Sequence, residues 1–455
     1  MRDTFLKWNS PPLQRLSQWA VILVQRTCRF SSFTALAIGG AMIFTPRAMA
    51  ADLKAPPLQP AAARAEPVRA CPEYGPGFIK LPNTDICLRA AIEVTYEMKL
   101  DLADKDLHIE TTTVGDNAVA LYERRDYGRS IDRFSTRLDS RLNFTTVSSV
   151  GGEPVITFIS LRSSENVAAA DVRDQVKATN TPYVDQAWIK FAGVTAGRHP
   201  SYFDFSPGFT YTGGYASQRN LNLLAFTKAF AQIASVSVSV EDQTDRRMQE
   251  GVWASYGGQR FPDLVGQLRF TPSWGIAHVG AALHEINDAI SGRLAYGYAV
   301  NAGIEYRQKW ADLFGASAEG TYGRLLVTGA YAKGALGYLG IPNFGTDYVT
   351  DLNGRIEKTT GYSAIVSYEH VWRPNFKTML AVSSYSLGAD MVNYKHRVRG
   401  LLAQAGAEYM PAPGLMVGIE GDYFRDSVKG TYFGVQAPRD KVDFFTAFAY
   451  IRRRI

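Results

Sequence analysis

Along Arg89 to Asp101 the even positions are Ala90, Ile92, Val94, Tyr96, Met98 and Leu100, whereas Glu93, Thr95, Glu97, Lys99 and Asp101 occupy odd ones. Successive side chains of a β-strand point to opposite faces, so the segment predicts a strand with one apolar and one charged face. Residues 133–146 repeat the pattern. Phe134, Leu138, Leu142 and Phe144 share one parity, and Arg133, Arg137, Asp139, Arg141 and Asn143 the other. Near the C-terminus Leu415, Val417, Ile419, Gly421 and Tyr423 oppose Glu420 and Asp422, and Val442, Phe444, Phe448 and Tyr450 share one face of the last segment. Roughly sixteen strands of about nine to thirteen residues can be placed, longer than the usual strands of globular sheets and suited to tilted spans of a bilayer.

The connections alternate between short and long. Tight links fall at Ser149 to Gly152, Ala192 to Gly193, Ala231 to Ile233, Pro272 to Gly275, Arg373 to Asn375 and Pro411 to Gly414. Long ones run over Leu102 to Ser130, Glu241 to Pro262, Gly334 to Thr360 and Asp426 to Arg439. A closed antiparallel barrel satisfies every backbone group inside a bilayer, and such barrels carry short periplasmic turns and long external loops. The expected fold is therefore an all-β transmembrane barrel. Tyr96, Trp188, Tyr306, Trp310, Tyr368, Trp372, Tyr409 and Tyr450 fit interfacial girdles at strand ends, or else ordinary core and edge aromatics. Alternation alone also suits a soluble secreted β-sandwich, a binding protein or adhesin, which would bury the apolar face.

Forty glycines and 12% aromatic residues, with no apolar run near the length of a membrane helix, argue against a helical membrane protein. The formal charge of +6 is not a nucleic-acid footprint, because residues 1–50 hold six basic residues against Asp3 and so carry all but one unit of it. That segment reads as an export signal, with an apolar run from Phe33 to Phe44 and Ala48-Met49-Ala50 before Ala51. Residues 51–70 form a Pro- and Ala-rich spacer, and 71–455 the barrel. The basic stretch of the export signal is unusually long, which leaves a misassigned translation start or a specialised export route open. Removal of the leader takes Cys28 with it and leaves Cys71 and Cys87, an even pair in an oxidising compartment, to form a bridge or remain as two thiols. The chain has no G-x-S-x-G, H-E-x-x-H or metal-spaced Cys/His cluster, so neither an enzyme, a metal nor a cofactor is expected.

Several segments resemble the alphaproteobacterial outer-membrane porins. They are CPEYGPGFIKLPNTDICLR at 71–89, DQAWIKFAGVTAGRHPSYFDF at 185–205, FPDLVGQLRFTPSWGIAHVGAALHEI at 261–286, LLVTGAYAKGALGYLG at 325–340 and YEHVWRPNFKTMLAVSSYS at 368–386. The resemblance implies a sixteen-stranded, trimeric general porin whose third external loop folds into the lumen, set in outer-membrane lipid and lipopolysaccharide and passing small hydrophilic solutes. Two features depart from it. The chain ends Ile451-Arg452-Arg453-Arg454-Ile455 rather than on an aromatic residue, and Ala311 to Thr321 is an added stretch where a tight turn is expected.

On this reading the loop His199 to Gln218 narrows the pore, with Asp204 its one formal negative charge, after the strand that ends at Arg198. Facing it, Arg133, Arg137 and Arg141 form a column with steps of roughly 13 Å. They line the lumen, or else form the solvated outer face of a soluble sheet or pair with Glu93 and Glu97 on the adjoining strand. Rings and columns of charge bias which ions pass. An arginine wall favours anions, moderated by Glu93, Glu97, Asp139 and Glu420. Tyr202, Phe203, Phe205, Phe209, Tyr211 and Tyr215 are either a sugar-stacking surface of a substrate-specific channel or anchors that pack the loop.

Overall fold

The computed structural model describes residues 69–102, 105–114, 117–126, 133–167, 182–248, 254–309, 320–341, 345–351, 353–391, 394–432, 435–436 and 440–455. The expected leader, nearly all of the spacer, and Trp310 with most of the added stretch lie outside them.

Sixteen antiparallel strands close into a barrel. They are β1 (Cys87–Asp101), β2 (Phe134–Val150), β3 (Glu153–Val167), β4 (Tyr183–Phe191), β5 (Val194–Pro200), β6 (Asn220–Phe230), β7 (Ala234–Glu241), β8 (Asp263–Phe270), β9 (Gly275–Asn287), β10 (Leu294–Lys309), β11 (Tyr322–Lys333), β12 (Thr360–Arg373), β13 (Phe376–Met391), β14 (Tyr394–Ala412), β15 (Leu415–Tyr432) and β16 (Asp440–Arg454). Each pairs with the next, and β16 closes on β1 from Thr446 opposite Asp101 to Arg454 opposite Glu93. Ile455 and Ile92 then exchange two backbone hydrogen bonds of 3.0 Å, which seal the seam without an aromatic terminus. The short links fall where the sequence placed them. At the β4–β5 turn Gly193 has φ +83°, and a Cβ there would lie 2.8 Å from the carbonyl oxygen of Thr227, so the turn needs glycine. The expected loop from Asp426 is shorter than anticipated, because β15 continues to Tyr432.

The outer surface carries an apolar belt across the middle of the strands. On β1, Ile92, Val94, Tyr96, Met98 and Leu100 are exposed while Thr95 and Glu97 are buried. An exposed hydrophobic surface of this extent cannot face water in a soluble sandwich and requires a bilayer. Tyr296 and Tyr306 mark its two rims on β10; ten residues apart, they are separated by about 34 Å along the strand, or about 26 Å across a membrane at a tilt of about 40°. Tyr306, Trp372 and Tyr409 are exposed girdle residues at the short-turn end. Trp188 and Tyr450 are not, a correction to the expected girdle. Trp188 sits inward beside Phe158, with ring centroids 5.4 Å apart, and Tyr450 is buried with its hydroxyl donating to Glu408 at 2.6 Å.

At the short-turn end Cys71 and Cys87 are bridged. The bridge, Phe78 and Val147 form a small buried cluster, and the ribbon Arg69–Ala70 with Ile79–Lys80 pairs onto the start of β1. Both thiols are spent, so Cys71, Glu73 and Cys87 are no metal site although their ligand atoms lie together.

Candidate functional site

The third long loop begins after Pro200, two residues later than expected, and runs from Ser201 to Arg219 inside the barrel. Glu241 of β7 accepts from the Ser201 hydroxyl at 2.6 Å and from the Tyr202 backbone N–H at 3.0 Å, and Asn301 of β10 donates to the Phe203 carbonyl at 2.6 Å. Further along, Phe209 N–H donates to Ser367 on β12 at 3.0 Å, and Thr210 donates to Gln404 on β14 at 3.1 Å. At the tip, Glu420 on β15 accepts from the backbone N–H groups of Tyr211 at 2.5 Å and Thr212 at 2.9 Å. The Tyr211 hydroxyl donates to Glu97 on β1 at 2.5 Å. The loop is thus stitched along the wall from β7 round to β1, with its backbone polar groups satisfied by wall side chains.

Asp204 does not face the opening, contrary to expectation. Its carboxylate receives the Ser217 hydroxyl, the Arg219 backbone N–H at 2.6 Å and the guanidinium of Arg246 at 3.2 Å. Arg246, from the β7–β8 loop, is fully buried and lies 4.2 Å over the ring of Tyr338. A carboxylate neutralised this closely clamps the two ends of the loop and adds little field to the lumen.

A second segment also folds inward. Between β11 and β12 the residues Leu336, Tyr338 and Leu339 are buried, and Tyr338 donates to Asp263 at 2.6 Å. Asp347 fixes this segment by accepting from the backbone N–H groups of Leu336 at 2.5 Å and Met248 at 2.7 Å and from the Tyr256 hydroxyl at 2.7 Å. Burial pushes the Asp347 carboxyl above its usual range. The loop side chains Phe203, Tyr215, Leu336, Tyr338 and Leu339 pack with Val265, Ala282, Ala299 and Ala332 of the wall into one buried core inside the barrel. Small wall residues make room for it. Phe203 and Tyr215 are therefore packing anchors, and Gly337 is required because a Cβ there would meet the Arg246 carbonyl oxygen at 2.0 Å.

The water-facing remainder lies along β16 and β1–β5. Arg137 donates to Glu97 at 2.6 Å, Arg162 Nε donates to Asp139 at 2.8 Å, and Arg454 pairs with Glu93 at 2.5 Å. Arg141 stands 3.9 Å from Asp185, and Arg133, exposed, precedes β2 on the same parity. Arg198 is a second correction. Its ladder partners are Ala187 and Asn222 on the outward face, and its guanidinium reaches Asp245 at 3.6 Å. The sequence reading missed Arg162, Arg452 and a lower network in which Arg324 pairs with Glu369 at 2.7 Å and Lys377 with Glu408 at 2.6 Å. The inward parity of Arg324 was legible in the alternation of β11, where Leu325 and Val327 take the other face. An open cavity of about 490 Å³ lies between the tip residues Tyr211 and Thr212 and the β1–β2 wall at Lys99 and Arg137.

A closed sixteen-strand barrel with an apolar belt and an inward third loop over a charged lumen defines an outer-membrane pore of the porin class. Residues 59–441 match the family model of the porin subfamily, and the chain belongs to that family. Among solved structures, the outer membrane channel DcaP of Acinetobacter baumannii is similar at a TM-score of 0.59 and 14% identity, covering 83% of this chain and 99% of that one. An anion-selective porin from Comamonas acidovorans aligns at 11% identity and a TM-score of 0.43, over 81% of this chain and 100% of that one, a likeness too loose to bear on function. No curated protein sequence matches the chain. The protein is a passive outer-membrane channel of a Gram-negative cell, through which small hydrophilic solutes and ions diffuse.

Proposed function

We propose that this channel leans toward anions. The observation that carries the reading is the layering of charge in its ion pairs. The side chain of Arg137 is 35% exposed against 7% for its partner Glu97, Arg141 33% against 13% for Asp185, and Arg162 28% against 11% for Asp139. Arg324 over Glu369 and Lys377 over Glu408 follow the same order. Long cationic side chains reach into the water while short carboxylates stay against the wall. Passing ions therefore meet positive charge first, although the wall is nearly balanced. Glu420 is withdrawn as well, since the loop tip covers it. Fields of this kind fade over a Debye length of roughly 10 Å at 0.1 M salt. A zero-current potential on the anion side at low salt that shrinks as salt rises supports the reading, and a cation-side potential overturns it.

In this reading the pore has no catalytic activity, as family membership suggests, and works as a homotrimer in lipid and lipopolysaccharide. The resemblance to alphaproteobacterial porins supports the trimer, with Ala90, Ile92 and Val94 on the lipid side between barrels. A species that stays monomeric in every mild detergent overturns it. Export through a leader ending at Ala50 belongs to the same reading, and an N-terminus at Ala51 in outer-membrane protein tests it.

A further inference from the structure

The last strand turns an apolar face to the lumen. Val442, Phe444, Phe448 and Tyr450 alternate inward on β16, while Phe445 and Ile451 face the lipid. Inward positions of a water-filled barrel are ordinarily polar, so the aromatic strip calls for a ligand or a packing partner. Part of it has a partner. The ring of Tyr450 stacks on Tyr211 with centroids 3.9 Å apart, and Phe444 stacks on Phe424 at 4.5 Å. Phe448 is only half-buried, lies 6.2 Å from Tyr211, and lines the open cavity of about 490 Å³. That volume falls within the roughly 300–1,000 Å³ of small-molecule sites.

The wall opposite Phe448 is polar and mixed in character. It carries Ser135 as a hydroxyl and Lys99 and Arg137 as cations. Lys99 sits 2.7 Å from Asp101 and Arg137 2.6 Å from Glu97, so each cation is already matched and the cavity is locally neutral. A carboxylate guest would have to displace one of these partners. A ring that is apolar on its face and bears hydroxyls at its edge needs no such exchange, because each hydroxyl both donates and accepts among fixed ion pairs.

We propose that this cavity is a transit subsite for pyranose sugars, with the C–H face of the ring on Phe448 and its hydroxyls on Arg137, Lys99 and the Ser135 hydroxyl. The proposal rests on the channel reading above and assigns a solute class to its open side.

The test uses the full protein in planar bilayers with maltotriose as the probe. Maltotriose should interrupt the ionic current in a concentration-dependent way. Phe448→Leu, which keeps the apolar volume but removes the flat ring, should raise the half-blocking concentration roughly tenfold, and Phe448→Tyr should retain the block. Heat-modifiable gel mobility and bilayer insertion of Phe448→Leu verify an intact barrel. No block by wild type, a block indifferent to Phe448→Leu, or a block by benzoate but not by maltotriose overturns the proposal. Phe448 carries no charge, so the zero-current potential recorded in the same membranes reports on anion preference separately.

Discussion

The phenol of Tyr211 donates a 2.5 Å hydrogen bond to Glu97, a carboxylate that also accepts from Arg137 at 2.6 Å. The tip of a loop rooted between β5 and β6 is thereby tied to β1 on the far wall. Burial, with the neighbouring Glu97 adding to it, pushes the Tyr211 hydroxyl up to about 12. A group whose folded pKa is raised stabilises its contact fully below the unfolded value of about 10, and that contribution is lost as pH rises through the folded value. Wild-type channels should therefore keep quiet open currents to about pH 10 and become noisy as pH climbs toward about 12. Tyr211→Phe should flicker at neutral pH and lose that alkaline transition in single-channel records.

Arg246 and Asp204 form a clamp for both ends of the inward loop, with the guanidinium fully buried. Arg246→Met leaves Asp204 without its cation, and removing one partner of a buried pair costs about 3–5 kcal/mol. The loop should become sensitive to added protease while the barrel keeps its heat-modifiable gel mobility. Because Asp204 is turned away from the opening, Asp204→Asn should leave the zero-current potential in place.

The bridge between Cys71 and Cys87 closes a loop with a sequence separation of 16 beneath the first strand. The chain-entropy account gives a loop of that size about 3 kcal/mol. Replacing both cysteines by serine should lower the unfolding midpoint in denaturant, read by tryptophan fluorescence in detergent. Non-reduced peptide mapping of wild type should show the linked pair.

The segment between β11 and β12 hangs on the Asp347 carboxylate, which accepts from Leu336, Met248 and Tyr256. Asp347→Ala should free it from the lumen and raise the single-channel conductance, with the oligomer unchanged on native gels.

Barrel, turn order and bridge were legible in the sequence because each depends on local rules. The alternation on β1 sets Ile92 against Glu93, so one register alone puts the apolar side outward. On β16 the rule fails, since Phe444 and Phe448 inward and Phe445 and Ile451 outward leave no contrast between faces. Arg198 was misread for a related reason. β5 has seven residues, and only its pairing with Ala187 and Asn222 settles which side that arginine takes. The inner core was invisible because Leu336, Tyr338 and Leu339 lie in a loop, and their partners Ala282 and Ala299 come from distant strands. Asp204 was correctly placed on the loop, yet its neutralisation by Arg246 is a contact across 42 positions of sequence.

The zero-current potential across a salt gradient reads whether exposed cations over shielded carboxylates set the selectivity of the pore. Wild type at low salt should give a potential on the anion side. Arg137→Ser with Arg141→Ser should shift it toward cations, and adding Arg162→Ser should shift it further, with insertion into bilayers preserved. A wild-type potential on the cation side, or a triple variant with the wild-type potential, would mean that these arginines do not set the selectivity.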